Sequence, residues 1–123
     1  MIEVSDEEFE RLINSALASL PGEHVKNIQN IAITWADEPS PQQREKLALR
    51  SHETLLGLYE GVPLAQRQGI TPVLPDKITL FRIPLCATVA TIEKLQEEIR
   101  HTLWHEIGHY YGLDHKRIAE LES

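Results

Sequence analysis

Eleven consecutive residues, His105-Glu106-Ile107-Gly108-His109-Tyr110-Tyr111-Gly112-Leu113-Asp114-His115, restrict what this chain can fold into more than any other stretch. They spell H-E-x-x-H-x-x-G-x-x-H. Residues four apart on an α-helix lie on one face about one turn apart, so His105 and His109 can turn two imidazole nitrogens toward one metal ion. Gly112 tolerates the left-handed backbone that ends a helix, and the reversal that follows can return His115 as a third ligand. Three protein ligands leave one position of a tetrahedral zinc site open for water, which is the catalytic arrangement. Glu106, next to the first histidine, can reach that water without binding the ion and suits the role of general base. A closed structural site takes four protein ligands and is rich in cysteine, whereas this chain has a single cysteine, Cys86.

The 123 residues suit one domain, and that length buries a core without disulfides. A net charge of −7 argues against a general nucleic-acid or anionic-membrane surface. No apolar run is long enough to span a bilayer. The start, Met-Ile-Glu-Val-Ser-Asp-Glu-Glu, is acidic and lacks the basic start and apolar stretch of a signal peptide. The expectation is a soluble cytoplasmic protein.

Along the chain, Ser5 to Leu20 reads as a helix: Ser5 and Glu8 pair as a capping box, Val4 and Phe9 as a hydrophobic staple, and Pro21-Gly22 stops it. Asn27 to Asp37 reads as a strand, with Ile31, Ile33 and Trp35 alternating against Ala32 and Thr34. Ser40-Pro41, with Gln43, starts a short helix that is expected to run to about Arg50. Leu55 to Tyr59 is a short apolar run of strand type. Residues 61 to 76 are loop-like, carrying Pro63, Gly69, Pro72 and Pro75. Lys77 to Leu85 reads as a strand, and Pro84 places it at a sheet edge. Thr91 to Tyr111 is the metal helix, capped by Thr91, with Ile92, Leu95, Ile99, Leu103, Ile107 and Tyr110 on one apolar face. Lys116 to Leu121 extends as a short further helix.

Other histidines weigh less. His101, His105 and His109 together span about 12 Å of helix, too far for one small ion, so His101 reads as a solvated or supporting residue. His24 and His52 fall in loop-like sequence. Cys86 reads as a small buried residue. Tyr110 and Tyr111 read as packed aromatics before they read as oxyanion donors.

With the motif in place, the chain resembles the zincin metallopeptidases, and more closely a family of small bacterial proteins with a minimal zincin-like fold. The stretches Leu55-Leu56-Gly57-Leu58-Tyr59-Glu60-Gly61-Val62-Pro63-Leu64 and Pro75-Asp76-Lys77-Ile78-Thr79-Leu80-Phe81-Arg82 are similar to that family, as is His105 to Asp114. Two departures stand out. The family usually carries an aspartate where this chain has His115, which makes Asp114 a competing third ligand or a partner that orients a histidine. The three-histidine form resembles metzincins, yet their methionine turn is missing, since the sole methionine is Met1.

The resemblance implies an α+β fold of minimal zincin type, one domain over residues 1–123. A short mixed β-sheet would pack against an N-terminal helix and the metal-binding helix. It implies Zn2+ held by His105, His109 and His115, with Glu106 as base, and a peptide or protein substrate laid antiparallel to an edge strand, for which Ile78 to Ile83 is the candidate. No nucleic acid or membrane partner is expected, and the oligomeric state is not legible. Two alternatives stand beside the peptidase. One is a zinc-dependent endoribonuclease of the ribosomal-RNA maturation type, which shares the histidine spacing but lacks the glutamate after the first histidine. The other is a non-catalytic zincin-like binding module.

Overall fold

A computed structural model of the chain describes residues 1–22, 31–61, 76–113 and 115–122; within the last helix, the side chains of residues 115, 119 and 122 lie outside the description. The elements are α1 (Asp6–Ser19), β1 (Ile31–Ala36), α2 (Pro41–Lys46), β2 (Gly57–Glu60), β3 (Asp76–Phe81), α3 (Arg82–Ala87), α4 (Ile92–Tyr110) and α5 (His115–Glu122). The architecture is a mixed α+β one, a small sheet packed against helices. No helix among the described residues is long and apolar enough to cross a membrane.

The helix starts are set by short polar side chains. Ser5 Oγ accepts from the Glu8 amide at 3.1 Å, and Thr91 Oγ1 accepts from the Lys94 amide at 3.2 Å. Each satisfies an amide that the first turn leaves without a partner. At α2 the capping box is complete, and its Gln43 has a second use: Oε1 accepts from the Ser40 amide while Nε2 donates to Glu60 Oε1 at 2.9 Å. That bond ties α2 to β2. The helix ends at Lys46, short of the expected Arg50. Ala48, at φ 55, takes the left-handed position of a Schellman cap, with Ala48 N donating to Glu45 O and Leu49 N to Arg44 O.

The described sheet has the order β1-β3-β2, with β1 parallel and β2 antiparallel to β3. This corrects the expected place of the third strand. β3 is central, with both neighbours hydrogen-bonded, and β2 is the edge beside the metal helix. The expectation followed Pro84, but the strand ends at Phe81 and Pro84 sits in the first turn of α3. A proline there loses nothing, because first-turn amides have no intrahelical acceptor.

One face of the sheet carries Ile78 and Leu80 of β3, both fully buried, with Ile33 and Trp35 of β1 partly buried beside them. Phe9, Leu12, Ile13 and Ala16 of α1 and Leu95, Ile99, Leu103 and Ile107 of α4 close over that face. Ile92, expected on the apolar face, is exposed at the start of α4. Arg82 joins three elements at the far end of this core. It bonds Asp6 at 2.6 Å and Asp37 at 2.7 Å, and its guanidinium lies 4.6 Å from the centre of the Trp35 ring. Residues 27 to 30 of the expected first strand, His24, and nearly all of the expected loop from Gly61 to Asp76 lie outside the described residues.

Candidate metal centre

Helix α4 places His105 and His109 one turn apart, and their Nε2 atoms face each other at 3.1 Å. Two nitrogens on one tetrahedral zinc ion, each at about 2.05 Å, stand about 3.3 Å apart, so the pair is already set to the spacing of two ligands. Ligand atoms of His105, Glu106 and His109 all lie within 4.8 Å of one another. Imidazole nitrogens with a carboxylate nearby suit zinc. The residues present therefore fit the ion that the motif implies.

Glu106 is 8 % exposed, and β2 holds it from above. Gly57 approaches α4 so closely that a β-carbon on it would stand 2.6 Å from Thr102 Cγ2. Two residues further along β2, the Tyr59 amide donates to Glu106 Oε1 at 3.0 Å. Two residues of strand advance about 6.7 Å and four of helix about 6 Å. Strand and helix therefore stay in step: Gly57 sits over Thr102 and Tyr59 over Glu106. Burial pushes the Glu106 carboxyl up to about 7, and the Tyr59 amide opposes part of that rise.

A groove of about 550 Å³ opens onto these groups. Its floor includes His105, Glu106 and His109; Leu47, Leu55, Leu58 and Leu113 give it apolar walls. Tyr110 is 1 % exposed and packs edge-on against both Tyr59 and Tyr111, so the packed reading of that tyrosine holds. His101 is exposed, and Cys86 is buried at the opposite end of the core, near Arg82.

After α4 the chain turns as the motif requires. Gly112 has φ 79, with Gly112 N donating to His109 O and Leu113 N to Gly108 O. His115 opens α5 directly after this turn. Its side chain lies outside the described residues, as does Asp114, so the third ligand rests on the motif alone. The sequence marks Tyr59 as the end of a strand and gives it no part in the site. Tyr59 contributes through its main-chain N–H, which any residue other than proline carries, so its identity gave no signal.

The model of the zincin-like metallopeptidase family matches residues 28–123. The chain belongs to that family. No match was found among curated proteins. Among solved structures, this zincin-like chain is similar to a conserved hypothetical protein from Thermus thermophilus. The two are 18 % identical, with a TM-score of 0.56, over 95 % of this chain and 99 % of that one. At that identity the likeness speaks for a shared fold alone.

Proposed function

We propose that this zincin-like protein is a zinc-dependent peptidase, with His105, His109 and His115 holding the metal and Glu106 serving as general base. The observation that carries the reading is the 3.1 Å spacing of the two Nε2 atoms with a buried carboxylate beside them, at the floor of an open groove. Bound there, zinc supplies Lewis acidity, lowering the pKa of water and polarising the scissile carbonyl.

The chain's own residues do the proton work. Glu106 takes the proton of the attacking water and passes it to the leaving amine. Burial raises this carboxyl in the metal-free protein, and a cation held by the neighbouring histidines would oppose that rise. The Tyr59 amide keeps one oxygen of Glu106 in place, leaving the other for the proton. Substrate addition falls to β2, the edge strand over α4, in place of β3. The leucine walls of the groove favour an apolar side chain next to the scissile bond. Family membership and the charge of −7 both speak against the endoribonuclease.

Metal analysis of the purified protein followed by a peptide-library digest tests the reading. Glu106→Gln should keep its zinc and lose hydrolysis by roughly 10²- to 10⁴-fold. A Glu106→Gln protein as active as the parent removes Glu106 from the chemistry, and a zinc-loaded parent that cuts nothing leaves a binding module.

A further inference from the structure

Tyr59 touches Glu106 through its amide, while its side chain is held elsewhere. Its side chain shares the helix-facing side of the sheet with Asp76. Tyr59 pairs with Ile78 across the β2–β3 ladder, which puts Asp76 at the diagonal position on the same face. The Tyr59 hydroxyl donates to Asp76 Oδ2. Asp76 is 2 % exposed, so its carboxyl group depends on hydrogen bonds made inside the protein. The Tyr59 ring packs against the Tyr110 ring in a T-shaped pair, with centroids 6.2 Å apart and planes at 87°. The ring is thus fixed at its tip by β3 and along its side by α4.

We infer that Asp76 is a positioning residue for Glu106, acting through Tyr59: the carboxyl group anchors the tyrosine ring, and the anchored residue presents its amide to Glu106 Oε1. The inference rests on the reading of Glu106 as the base. The physical reason is the steepness of hydrogen-bond geometry. The amide contact is 3.0 Å long, and such bonds weaken quickly as distance and angle depart from ideal. Among the described residues β2 is a four-residue edge strand, hydrogen-bonded to β3 on one side. An edge strand this short has little of its own to resist lateral movement. The hydroxyl–carboxylate bond to the central strand supplies that resistance at the residue whose amide matters. Among the described contacts, Asp76 reaches Tyr59 and Tyr59 reaches the base, and neither of these two bonds involves the histidine pair.

The test uses Tyr59→Phe, which removes the hydroxyl, and Asp76→Asn, whose carboxamide oxygen can still accept. The first readout is hydrogen exchange of the residue-59 amide by NMR in the metal-free protein. The expected result is exchange faster by about tenfold or more in Tyr59→Phe, the scale of one lost hydrogen bond. Asp76→Asn should stay within about threefold of the parent, since its acceptor survives. The second readout is zinc affinity, expected to be the same in all three proteins. The third is hydrolysis, where Tyr59→Phe should lower kcat about tenfold with KM unchanged.

Residue-59 exchange equal in Tyr59→Phe and parent overturns the inference. So does a parallel loss of zinc affinity and amide protection, which marks a general loosening of the site. A parent that hydrolyses no peptide, with the exchange order as expected, defeats the peptidase reading and leaves the positioning contact standing.

Discussion

Gly108 and Ile118 are in contact so close that a β-carbon on Gly108 would stand 2.3 Å from Ile118 Cγ1 and 2.6 Å from Cδ1. The motif positions filled by Ile107 and Gly108 are open to any residue in the pattern, yet here the second is where α5 lies on α4. The Trp104 indole secures the same joint by donating to Ile118 O at 3.2 Å. Gly108→Ala should force α5 away and cost about 1–3 kcal/mol, the usual penalty of overpacking. Since α5 begins at His115, zinc affinity should fall with stability. Urea melts and zinc titration check both, and Ile118→Ala placed on top of Gly108→Ala should recover part of each loss. Additive losses in the double variant would refute the steric account.

The histidine pair gives a separate expectation. Chelation should abolish hydrolysis, and added zinc should restore it. His105→Ala and His109→Ala should each lower zinc affinity by more than the roughly 10- to 100-fold that loss of a supporting contact costs. His101→Ala, one turn earlier and exposed, should leave zinc affinity unchanged. Calorimetric titration separates the three, and weakened binding in His101→Ala would mean the site extends further along the helix than the 3.1 Å pair indicates.

The line between what the sequence discloses and what it withholds follows the physics of each feature. Periodicity and caps are local, so α1, α4 and the Ser40–Gln43 start of α2 are legible, as is the pairing of His105 with His109, which one helix turn sets. Strand order is set by distant pairing. Nothing within Asp76–Phe81 tells a central strand from an edge strand, and Pro84 misled because it belongs to the next helix. The partner of Glu106 was hidden for a related reason. A main-chain amide has no letter of its own, and only the close approach of Gly57 to Thr102 delivers it.

The buried Glu106 should leave a mark on stability in the metal-free protein. Its carboxyl titrates at about 7 when folded, against an ordinary value of 4.5. Between those values the folded chain holds a proton that the unfolded chain has released. Stability is therefore greatest below about pH 4.5 for this group and falls as pH rises through 7, by roughly 3 kcal/mol in all. Urea melts from pH 5 to 8 on chelated protein should trace the decline, and Glu106→Gln should flatten it. Bound zinc favours the ionised carboxylate and should shrink the slope. A parent and a Gln variant with the same pH dependence would rule the burial effect out.

Ala48 sits where a glycine is usual. Its φ of 55 closes the Schellman cap of α2, and an L-residue other than glycine bears about 1 kcal/mol or more of strain there. Ala48→Gly relieves the strain but adds freedom to the unfolded chain. The expected net gain is a few tenths of a kcal/mol, up to about 1. Thermal melts measure it, and a destabilised variant would mean that the alanine methyl packs against the rim of the groove.

Leu58 tests whether the apolar walls select substrate. It is half-buried, lines the groove that contains Glu106, and also lines the smaller pocket formed with Gln43, Lys46, Leu47 and Glu60. Its side chain points to the face of the sheet opposite Tyr59, because neighbours on a strand alternate. Changing it should therefore leave the Tyr59–Glu106 contact intact. A well-filled apolar contact discriminates between substrates by roughly 10- to 200-fold. Matched peptides that differ only by leucine or serine beside the cleaved bond should show such a preference in the parent, expressed as a ratio of kcat/KM. Leu58→Ser should bring that ratio down about tenfold, mainly by slowing the leucine peptide, while zinc affinity stays put. An unchanged ratio would move selection to Leu47, Leu55 or Leu113, and no preference in the parent would mean that the walls exclude water without reading the substrate.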